Sequence, residues 1–292
     1  MMEIAVISGK GGTGKTSLVA SFAALAARPV VADCDVDAAD LHLVLKPQIK
    51  KMEDFTGGKK ARIIPDRCSG CGMCFELCRF GAIIKNGSYR PAYAVDRISC
   101  EGCGVCSHFC PEKAIEFSPA VNGRWFVSDT RYGPMVHARL GVAEENSGKL
   151  VTLVRNQARE IALKEKRPVI IIDGPPGIGC PVIASITGTD AVLIVAEPTV
   201  SGEHDLERVA ELVKYFNIPS FLCVNKYDIN PGVSKKIEEK AAASGIVAVG
   251  RIRYDRSVTE AQIKGLPVVD LKSAPAAEDI KQAWARLMNE IN

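Results

Sequence analysis

A glycine-rich segment, GKGGTGKT at residues 9–16, constrains the fold of this chain more than any other stretch. It follows the apolar run EIAVIS and precedes SLVASFAALAA, so it joins a predicted strand to a predicted helix. The spacing is G-x-x-x-x-G-K-[ST], in which glycines let backbone N–H groups close around phosphate oxygens. In such a loop Lys15 reaches the terminal phosphates and the Thr16 hydroxyl ligates Mg²⁺. The sequence therefore predicts a phosphate-binding loop at a helix N-terminus.

Acidic residues end two later apolar runs. Asp173 ends PVIIID, and Asp33 and Asp35 end PVVADCD. A carboxylate at the end of a strand opposite the loop is the expected second contact to hydrated magnesium, which assigns Mg²⁺ to Asp173 and Asp33 together with Thr16. Asp35 is expected to orient the attacking water. A single acid after a strand is also typical of an ordinary turn or cap, and that alternative stays open for PVVADCD.

Apolar runs alternate with helical patterns along most of the chain. After PVVADCD, strands are predicted at 168–174, 190–198, 219–225 and 246–252, with helical patterns between them. Near-continuous apolar strands separated by helices predict an α/β fold with a doubly wound, mostly parallel sheet covered on both faces. The C-terminal segment AEDIKQAWARLMNEIN is predicted to be a packing helix.

The alternation breaks between residues 60 and 117, where eight of the 11 cysteines lie. They form two C-x2-C-x2-C-x3-C runs offset by 32 residues, Cys68, Cys71, Cys74 and Cys78 followed by Cys100, Cys103, Cys106 and Cys110. This is the bacterial ferredoxin spacing for a 4Fe–4S cube, whereas structural zinc sites use paired C-x2–4-C hooks. We therefore expect a small inserted α+β, ferredoxin-like domain at 60–117, with 1–59 and 118–292 forming the main domain.

In this pattern three thiolates of each run wrap one cube, and the fourth cysteine is expected to begin a short helix that points at the other cube. The two predicted ligand sets are Cys68, Cys71, Cys74 and Cys110, and Cys100, Cys103, Cys106 and Cys78. Cys34 and Cys223 lie in apolar strands and are expected to be small core residues. Cys180 is interpreted as structural, with the alternative that it faces its own copy across a dimer.

The loop KGGTGKT resembles the deviant Walker A motif of the MinD/Mrp/nitrogenase-iron-protein family of P-loop ATPases. DCDVDAADLHL and DGPPGIG are similar to later motifs of that family, and the resemblance covers everything outside the cysteine segment. In that family the first lysine of the loop crosses a face-to-face dimer to the partner's phosphates. The resemblance therefore implies that Lys10 stabilises transition-state charge in trans, as an arginine finger does. The alternative is a solvated loop lysine.

The segment NKYD at 225–228 matches the N-K-x-D pattern by which GTPases recognise guanine. The resembled family carries a similar stretch and uses ATP, so Asn225 is expected to bind the base edge, and GTP stays open because of Asp228. The expected reaction is Mg²⁺-dependent ATP hydrolysis, slow without a facing subunit. The residues expected to contact the nucleotide are Gly9, Gly11, Gly12, Thr13, Gly14, Lys15, Thr16, Ser17 and Asn225.

Composition limits the partners of the chain. The net charge of +3 is too small to imply a nucleic-acid surface, and no apolar run is long enough for a membrane helix. MMEIAVIS lacks the basic start of a signal peptide, so a cytoplasmic location is expected.

The predicted function is an ATP-driven homodimer switch, closed through the nucleotide face and coupled to electron transfer or metallocluster maturation through two 4Fe–4S clusters. An unidentified redox or maturation protein is the expected partner. Two alternatives stay open, an iron–sulfur scaffold or carrier ATPase, and a MinD/ParA-like spatial-positioning ATPase in which the clusters are structural.

Overall fold

The computed structural model describes residues 1–87, 91–141 and 147–292. The chain divides into two compact units. The first unit contains Met1–Met52, Trp125–Arg139 and Ser147–Asn292, and the second is built mainly of Glu53–Arg124. The second unit is therefore longer at both ends than the predicted 60–117. Residues 118–124 belong to it, although they were expected in the main domain.

One large sheet is built mostly from the first unit, and two of its strands run on into residues of the second. The described residues form nine strands of this sheet. They are β1 (Met2–Ser8), β2 (Val30–Asp33), β3 (Gln48–Ile63), β6 (Ile115–Asp129), β7 (Pro134–Leu140), β8 (Val169–Pro176), β9 (Ala191–Ala196), β10 (Ser220–Asn225) and β11 (Val247–Ile252). Their order is β11-β10-β9-β1-β8-β2-β7-β6-β3, and neighbours from β11 through β7 pair in parallel. The predicted mostly parallel α/β sheet is confirmed.

Helices surround this sheet. They are α1 (Lys15–Leu25), α2 (Leu41–Leu45), α5 (Ser147–Lys164), α6 (Cys180–Ile186), α7 (Val200–Tyr215), α8 (Pro231–Ala243), α9 (Arg256–Lys264) and α10 (Pro275–Ile291). Strand β9 and the first four residues of β8 consist of buried aliphatic residues, as expected for strands covered on both faces. Helix α10 packs as predicted, with Ile280 and Leu287 buried and the Trp284 ring 4.8 Å from that of Phe22.

The order of the strands fixes where a ligand can approach. Strand β1 lies between β8 and β9, whereas β2, which follows it through α1, pairs with the far side of β8. Crevices at the carboxyl ends of strands, where the strand order reverses, are the binding positions of open α/β sheets. One such crevice therefore brings together the loop that follows β1, Asp33 at the end of β2 and Asp173 within β8.

The second unit repeats one local structure around its two cysteine runs. It contains α3 (Met73–Leu77) and α4 (Val105–His108), and an antiparallel pair of short strands, β4 (Ile83–Lys85) and β5 (Tyr93–Val95). Gly72 and Gly104, at φ 84° and 76°, precede the two helices. A left-handed residue costs a glycine little, so each run turns sharply between its second and third cysteines.

The helices of this unit correct one expectation. Cys78 follows the last residue of α3, and Cys110 comes two residues after α4. The prediction that the fourth cysteine of each run begins a short helix is therefore wrong. The helix begins earlier because the left-handed glycine places the third cysteine, Cys74 or Cys106, inside its first turn.

A buried ion-pair group joins β1 to α5. The Glu3 carboxylate accepts hydrogen bonds from Arg155 Nη2 at 2.7 Å and Arg159 Nη2 at 2.9 Å. Arg155 also donates to the Ala184 and Thr187 carbonyls, which fixes α6 against α5. Both Glu3 and Arg155 are about one-twentieth exposed, so each depends on the other for charge compensation.

We expect Glu3→Ala to lower the free energy of unfolding of the first unit by about 3–5 kcal/mol, because it leaves the Arg155 charge buried without its partner. Glu239→Ala is the matched control, since the Glu239 pair with Lys235 is exposed and such pairs contribute about 0–1 kcal/mol. Urea unfolding followed by circular dichroism measures both. Equal losses in the two variants would contradict this assignment.

Candidate functional site

The predicted phosphate loop occupies 9–14, between β1 and α1. Gly14 precedes α1 at φ 87°, and a Cβ there would lie 2.3 Å from Asn225 Nδ2. That nitrogen donates a hydrogen bond to the Thr13 carbonyl at 2.7 Å. Both the backbone angle and the close approach of Asn225 therefore require glycine at this position.

Lys15 lies buried among the predicted acids. Its Nζ is 3.2 Å from Asp173 Oδ1 and 3.8 Å from Asp35 Oδ2. Asp33 is directly opposite Asp173 in the register of β2 and β8, and its Oδ1 accepts a hydrogen bond from the Asp35 amide. The structure thus brings the four predicted side chains together at one edge of the sheet.

These carboxylates carry more negative charge than Lys15 balances. Burial, with the repulsion of Asp173 and Asp35, raises the pKa of Asp33 well above its ordinary value. Burial also raises the pKa of Asp35 to about 6, against the opposing effect of Lys15. The pKa of Lys15 is raised because the attraction of Asp173 and Asp35 outweighs the effect of its burial.

Several polar atoms of the site lack a protein partner within the described ranges. They are Asp33 Oδ2, Asp173 Oδ2 and Thr13 Oγ1, each buried. A buried oxygen without a partner is unfavourable unless a ligand or ion supplies one. Hard oxygen ligands with excess negative charge are what Mg²⁺ prefers, so the donor set fits the predicted cation.

Two predicted nucleotide residues are also tied to the protein itself. Ser17 is buried, and its Oγ accepts a hydrogen bond from Gln262 Nε2 in α9 at 3.0 Å. The Asn225 side-chain nitrogen donates a hydrogen bond to the Thr13 carbonyl, and its Oδ1 accepts one from the Lys226 amide. The Asn225 contact holds the loop in place, and base binding by Asn225 stays a prediction.

Lys10 is held within its own chain. Its Nζ donates to Thr199 Oγ1 at 2.9 Å and Ser201 Oγ at 3.1 Å, and lies 3.6 Å from Glu197 Oε2. Glu197 also pairs with Lys226 through its other oxygen. Lys10 is therefore anchored beside the start of α7, which differs from the solvated lysine of the alternative interpretation.

Sequence reasoning missed Glu197. It follows β9, so it stands at the same edge of the sheet as Asp33, which ends β2, and Asp173, which lies within β8. The signal was present, because an acid directly after an apolar strand is the pattern that identified Asp173. It was overlooked because AVLIVAEP adjoins no recognised motif.

The cysteines of the second unit line two recesses. One is lined by Cys68, Cys71, Cys74 and Cys110, and the other by Cys78, Cys100, Cys103 and Cys106. These are the two sets that the spacing predicts. The fourth cysteine of each run thus contributes to the recess of the other run.

The thiols within the recesses are crowded. Burial, and then the neighbouring Cys100, raises the pKa of Cys106 to about 11, and burial also raises the pKa of Cys74. A positively charged iron centre would offset both effects, so the donor set fits thiolate-held clusters. Within the part of the chain that the structure describes, no three potential ligands converge closely enough to hold a single metal ion.

The remaining cysteines separate into two kinds. Cys34 and Cys223 are fully buried, which confirms their prediction as core residues, and burial raises the pKa of the Cys223 thiol to about 12. Cys180 is exposed at the first residue of α6. It is therefore not a core residue like the other two, and its interpretation as structural or as facing its own copy across a dimer stays a prediction.

Comparison with known proteins identifies the family. The model of the CobQ/CobB/MinD/ParA nucleotide binding domain matches residues 4–268. This chain belongs to that family. The loop, Lys15 and the three acids all lie within the residues that this model matches.

Two relatives of this chain differ in how much of its length they match. An uncharacterized protein of Methanocaldococcus jannaschii is 36% identical over 234 residues, which is 79% of this chain and 80% of that protein. An iron-sulfur cluster carrier protein of Pyrococcus furiosus is 27% identical over 159 residues, covering 49% of this chain and 53% of the carrier. The second likeness spans only about half of each protein.

Solved structures show the fold. A chain of the MinC:MinD cell division protein complex of Aquifex aeolicus has a TM-score of 0.60 at 19% identity, covering 99% of this chain and 96% of that one. The cell division ATPase MinD of Pyrococcus furiosus gives 0.58 at 17% identity and covers 99% of both chains.

Among residues 1–87, 91–141 and 147–292, none of the helices combines the length and the apolar character needed to cross a membrane.

We expect Asp35→Asn to flatten the pH dependence of stability of the metal-free, nucleotide-free protein. The folded chain keeps the Asp35 proton up to about pH 6, whereas the unfolded chain loses it near the ordinary, lower pKa. The folded state binds more protons between these values, so the free energy of unfolding falls as pH rises through that window. Urea unfolding at about pH 4.5 and about pH 7 measures this fall.

The exposed Asp37 provides the control, because Asp37→Asn removes a neighbouring carboxylate that is not buried. This variant should keep the wild-type pH dependence. A wild-type dependence in Asp35→Asn as well would show that the Asp35 carboxyl is not destabilised by its surroundings.

Proposed function

We propose that this protein is a Mg²⁺-dependent ATPase in which a nucleotide-driven homodimer switch is coupled to electron transfer or metallocluster maturation through two 4Fe–4S clusters. One observation carries the proposal. A single chain gathers a lysine–carboxylate nucleotide site in one unit and two complete sets of four cysteines in the other.

The ATPase roles follow from the site. The loop N–H groups and Lys15 bind the phosphates, while Thr16, Asp33 and Asp173 hold Mg²⁺, partly through water. Asp35 orients the attacking water. The free oxygens of Asp33 and Asp173 support this division, since they have no other partner within the described residues. A fold neighbour, MinD of Pyrococcus horikoshii, was solved in complex with Mg-ADP.

ATP is the proposed nucleotide. In the N-K-x-D segment, Asp228 Oδ1 accepts a hydrogen bond from the Tyr254 amide at 2.7 Å. A guanine-binding carboxylate must face the base instead, so this contact favours adenine. Asn225 remains the proposed contact to the base edge.

The homodimer is proposed to close through the nucleotide face. Lys10 would then stabilise the transition-state charge on the nucleotide of the facing copy. In a single chain the Lys10 ammonium is occupied by Glu197, Thr199 and Ser201. It has to leave these partners to reach across, which agrees with slow hydrolysis by an isolated chain.

The two recesses are proposed to hold the clusters. Cys68, Cys71, Cys74 and Cys110 would ligate one cube, and Cys100, Cys103, Cys106 and Cys78 the other. Such clusters supply one-electron chemistry when bound. Cys71 and Cys103 are exposed, so each recess has one ligand at the surface where an unidentified redox or maturation protein can approach.

A second candidate is an iron–sulfur cluster carrier. The likeness to the Pyrococcus furiosus carrier protein favours it. Each recess, however, provides the four cysteines that one cube requires, which suits a resident cluster better than a transferred one. A spatial-positioning ATPase with structural clusters is the third candidate, supported by the fold likeness to MinD alone.

We expect anaerobically reconstituted protein to hold about eight irons per chain, four for each cube. Cys71→Ala and Cys103→Ala should each lose about half of this iron, because each removes one ligand from one cube. Cys180→Ala is the matched control and should keep all of it, since Cys180 lies outside both sets. Iron analysis and electron paramagnetic resonance measure the result.

The same preparations distinguish the candidates. The proposed function requires that a slowly hydrolysed ATP analogue change both the association state and the redox behaviour of the clusters, with iron retained. Loss of iron to an apo-acceptor protein would favour the carrier. If the ATP analogue changes the association state but not the redox behaviour of the clusters, the result would favour the positioning ATPase.

We expect Lys10→Ala to lower the ATP hydrolysis rate by about 100-fold or more at protein concentrations that favour the dimer, because it removes a charge from the transition state. Lys272→Ala, at another exposed lysine, should hydrolyse ATP at the wild-type rate. A wild-type rate in Lys10→Ala would contradict the trans role.

Glu197→Gln tests whether the ion pair with Glu197 keeps Lys10 from reaching a facing copy. Without the carboxylate, Lys10 is released more easily, so dimerisation should occur at lower protein concentration. Sedimentation with the ATP analogue measures this shift, with Glu207→Gln as a control at an exposed pair with Lys240.

A further inference from the structure

Two glycines at equivalent positions of the cysteine runs are each covered by an aromatic ring. Gly72 and Gly104 are 32 residues apart and adopt the same left-handed conformation. A Cβ on Gly72 would lie 2.9 Å from the Tyr93 hydroxyl oxygen, and one on Gly104 would lie 3.2 Å from Phe117 Cε1 and 3.4 Å from its Cζ. The two sites thus differ in having a hydroxyl at one and a ring edge at the other.

The Tyr93 hydroxyl lies at the edge of one of the two cysteine-lined recesses. Tyr93 lines the recess formed by Cys68, Cys71, Cys74 and Cys110, which is called recess 1 below. The ring is fixed by Phe75, with centroids 5.7 Å apart. Within the described residues no protein group accepts a hydrogen bond from this hydroxyl. A half-buried donor at the edge of a thiolate-lined recess is suited to a sulfur acceptor.

Charged neighbours do not by themselves distinguish the two recesses. Lys85 lies over the Phe75 ring at 5.3 Å beside recess 1, and Lys59 lies over the Phe117 ring at 5.6 Å beside the recess of Cys78, Cys100, Cys103 and Cys106, called recess 2. Each aromatic side thus has one lysine at a similar distance. The tyrosine hydroxyl is the asymmetric feature.

We propose that Tyr93 donates a hydrogen bond to a sulfur of the cluster in recess 1, from Cys71 or the cube itself, and that this gives the two clusters different reduction potentials. The inference rests on the proposed function, since it requires both clusters. A hydrogen bond to sulfur stabilises the more negative, reduced form and therefore raises the potential. Phe117 has no such donor.

A redox titration of the reconstituted full chain, followed by electron paramagnetic resonance, tests the proposal. Tyr93→Phe should shift one of the two reduction steps to lower potential and leave the other in place. Phe117→Tyr adds a hydroxyl at the equivalent position and should shift the other step to higher potential. Both changes are conservative, and iron content verifies that each variant keeps two clusters.

A second measurement does not depend on the size of the potential shift. Pulsed resonance of the reduced protein, prepared in H₂O and in D₂O, detects exchangeable protons near the cluster. The wild-type protein should show one exchangeable proton coupling that Tyr93→Phe lacks. Phe117, beside recess 2, has no hydroxyl that could supply this proton.

The outcomes separate this inference from the proposed function. Unchanged potentials in Tyr93→Phe, with the proton coupling retained and about eight irons present, would overturn the role of Tyr93 and leave the two clusters standing. A wild-type chain that binds no iron after anaerobic reconstitution would overturn both.

Discussion

The crowding of three carboxylates around one buried lysine is the constraint on which the nucleotide site depends. Asp33 and Asp173 face each other across two parallel strands, and Lys15 pairs with Asp173 and Asp35. One ammonium cannot balance three carboxylates. Burial and the neighbouring carboxylates therefore raise the pKa of Asp33, and the Oδ2 atoms of Asp33 and Asp173 have no partner among the described residues. The site is thereby destabilised on its own and suited to a divalent cation with bound phosphate, whose charges and donors complete it.

The second unit also brings together groups whose charged form is unfavourable when buried, and here the groups are cysteine thiols. Its glycines reverse the chain between the second and third cysteines, and this brings thiols into recesses where burial disfavours their charged form. A positively charged centre would favour the thiolate form in each recess, as a cation would favour the ionised carboxylates beside Lys15. The two units therefore share one physical principle, in which the fold concentrates groups whose charged form a cation stabilises.

Lys10 shows how far a motif determines a role. Its position in the loop is local, but its partners are Glu197, Thr199 and Ser201, about 190 residues away in sequence. These contacts arise because β9 lies beside β1, so that the segment after β9 reaches the loop after β1. The proposed action in trans thus competes with a cis contact that no spacing rule reveals.

The sequence by itself determined the phosphate loop, the grouping of the two cysteine runs into two sets of four, and the alternation of strands and helices. These features depend on residues close in the chain, whose spacing fixes turns and periodicity. It did not reveal β3, β6 and β7, the helices α6 and α9, the exposure of Cys180 or the Glu197 contacts. The tertiary structure decided these, because strand order and side-chain environment depend on pairings between distant segments that local patterns do not encode.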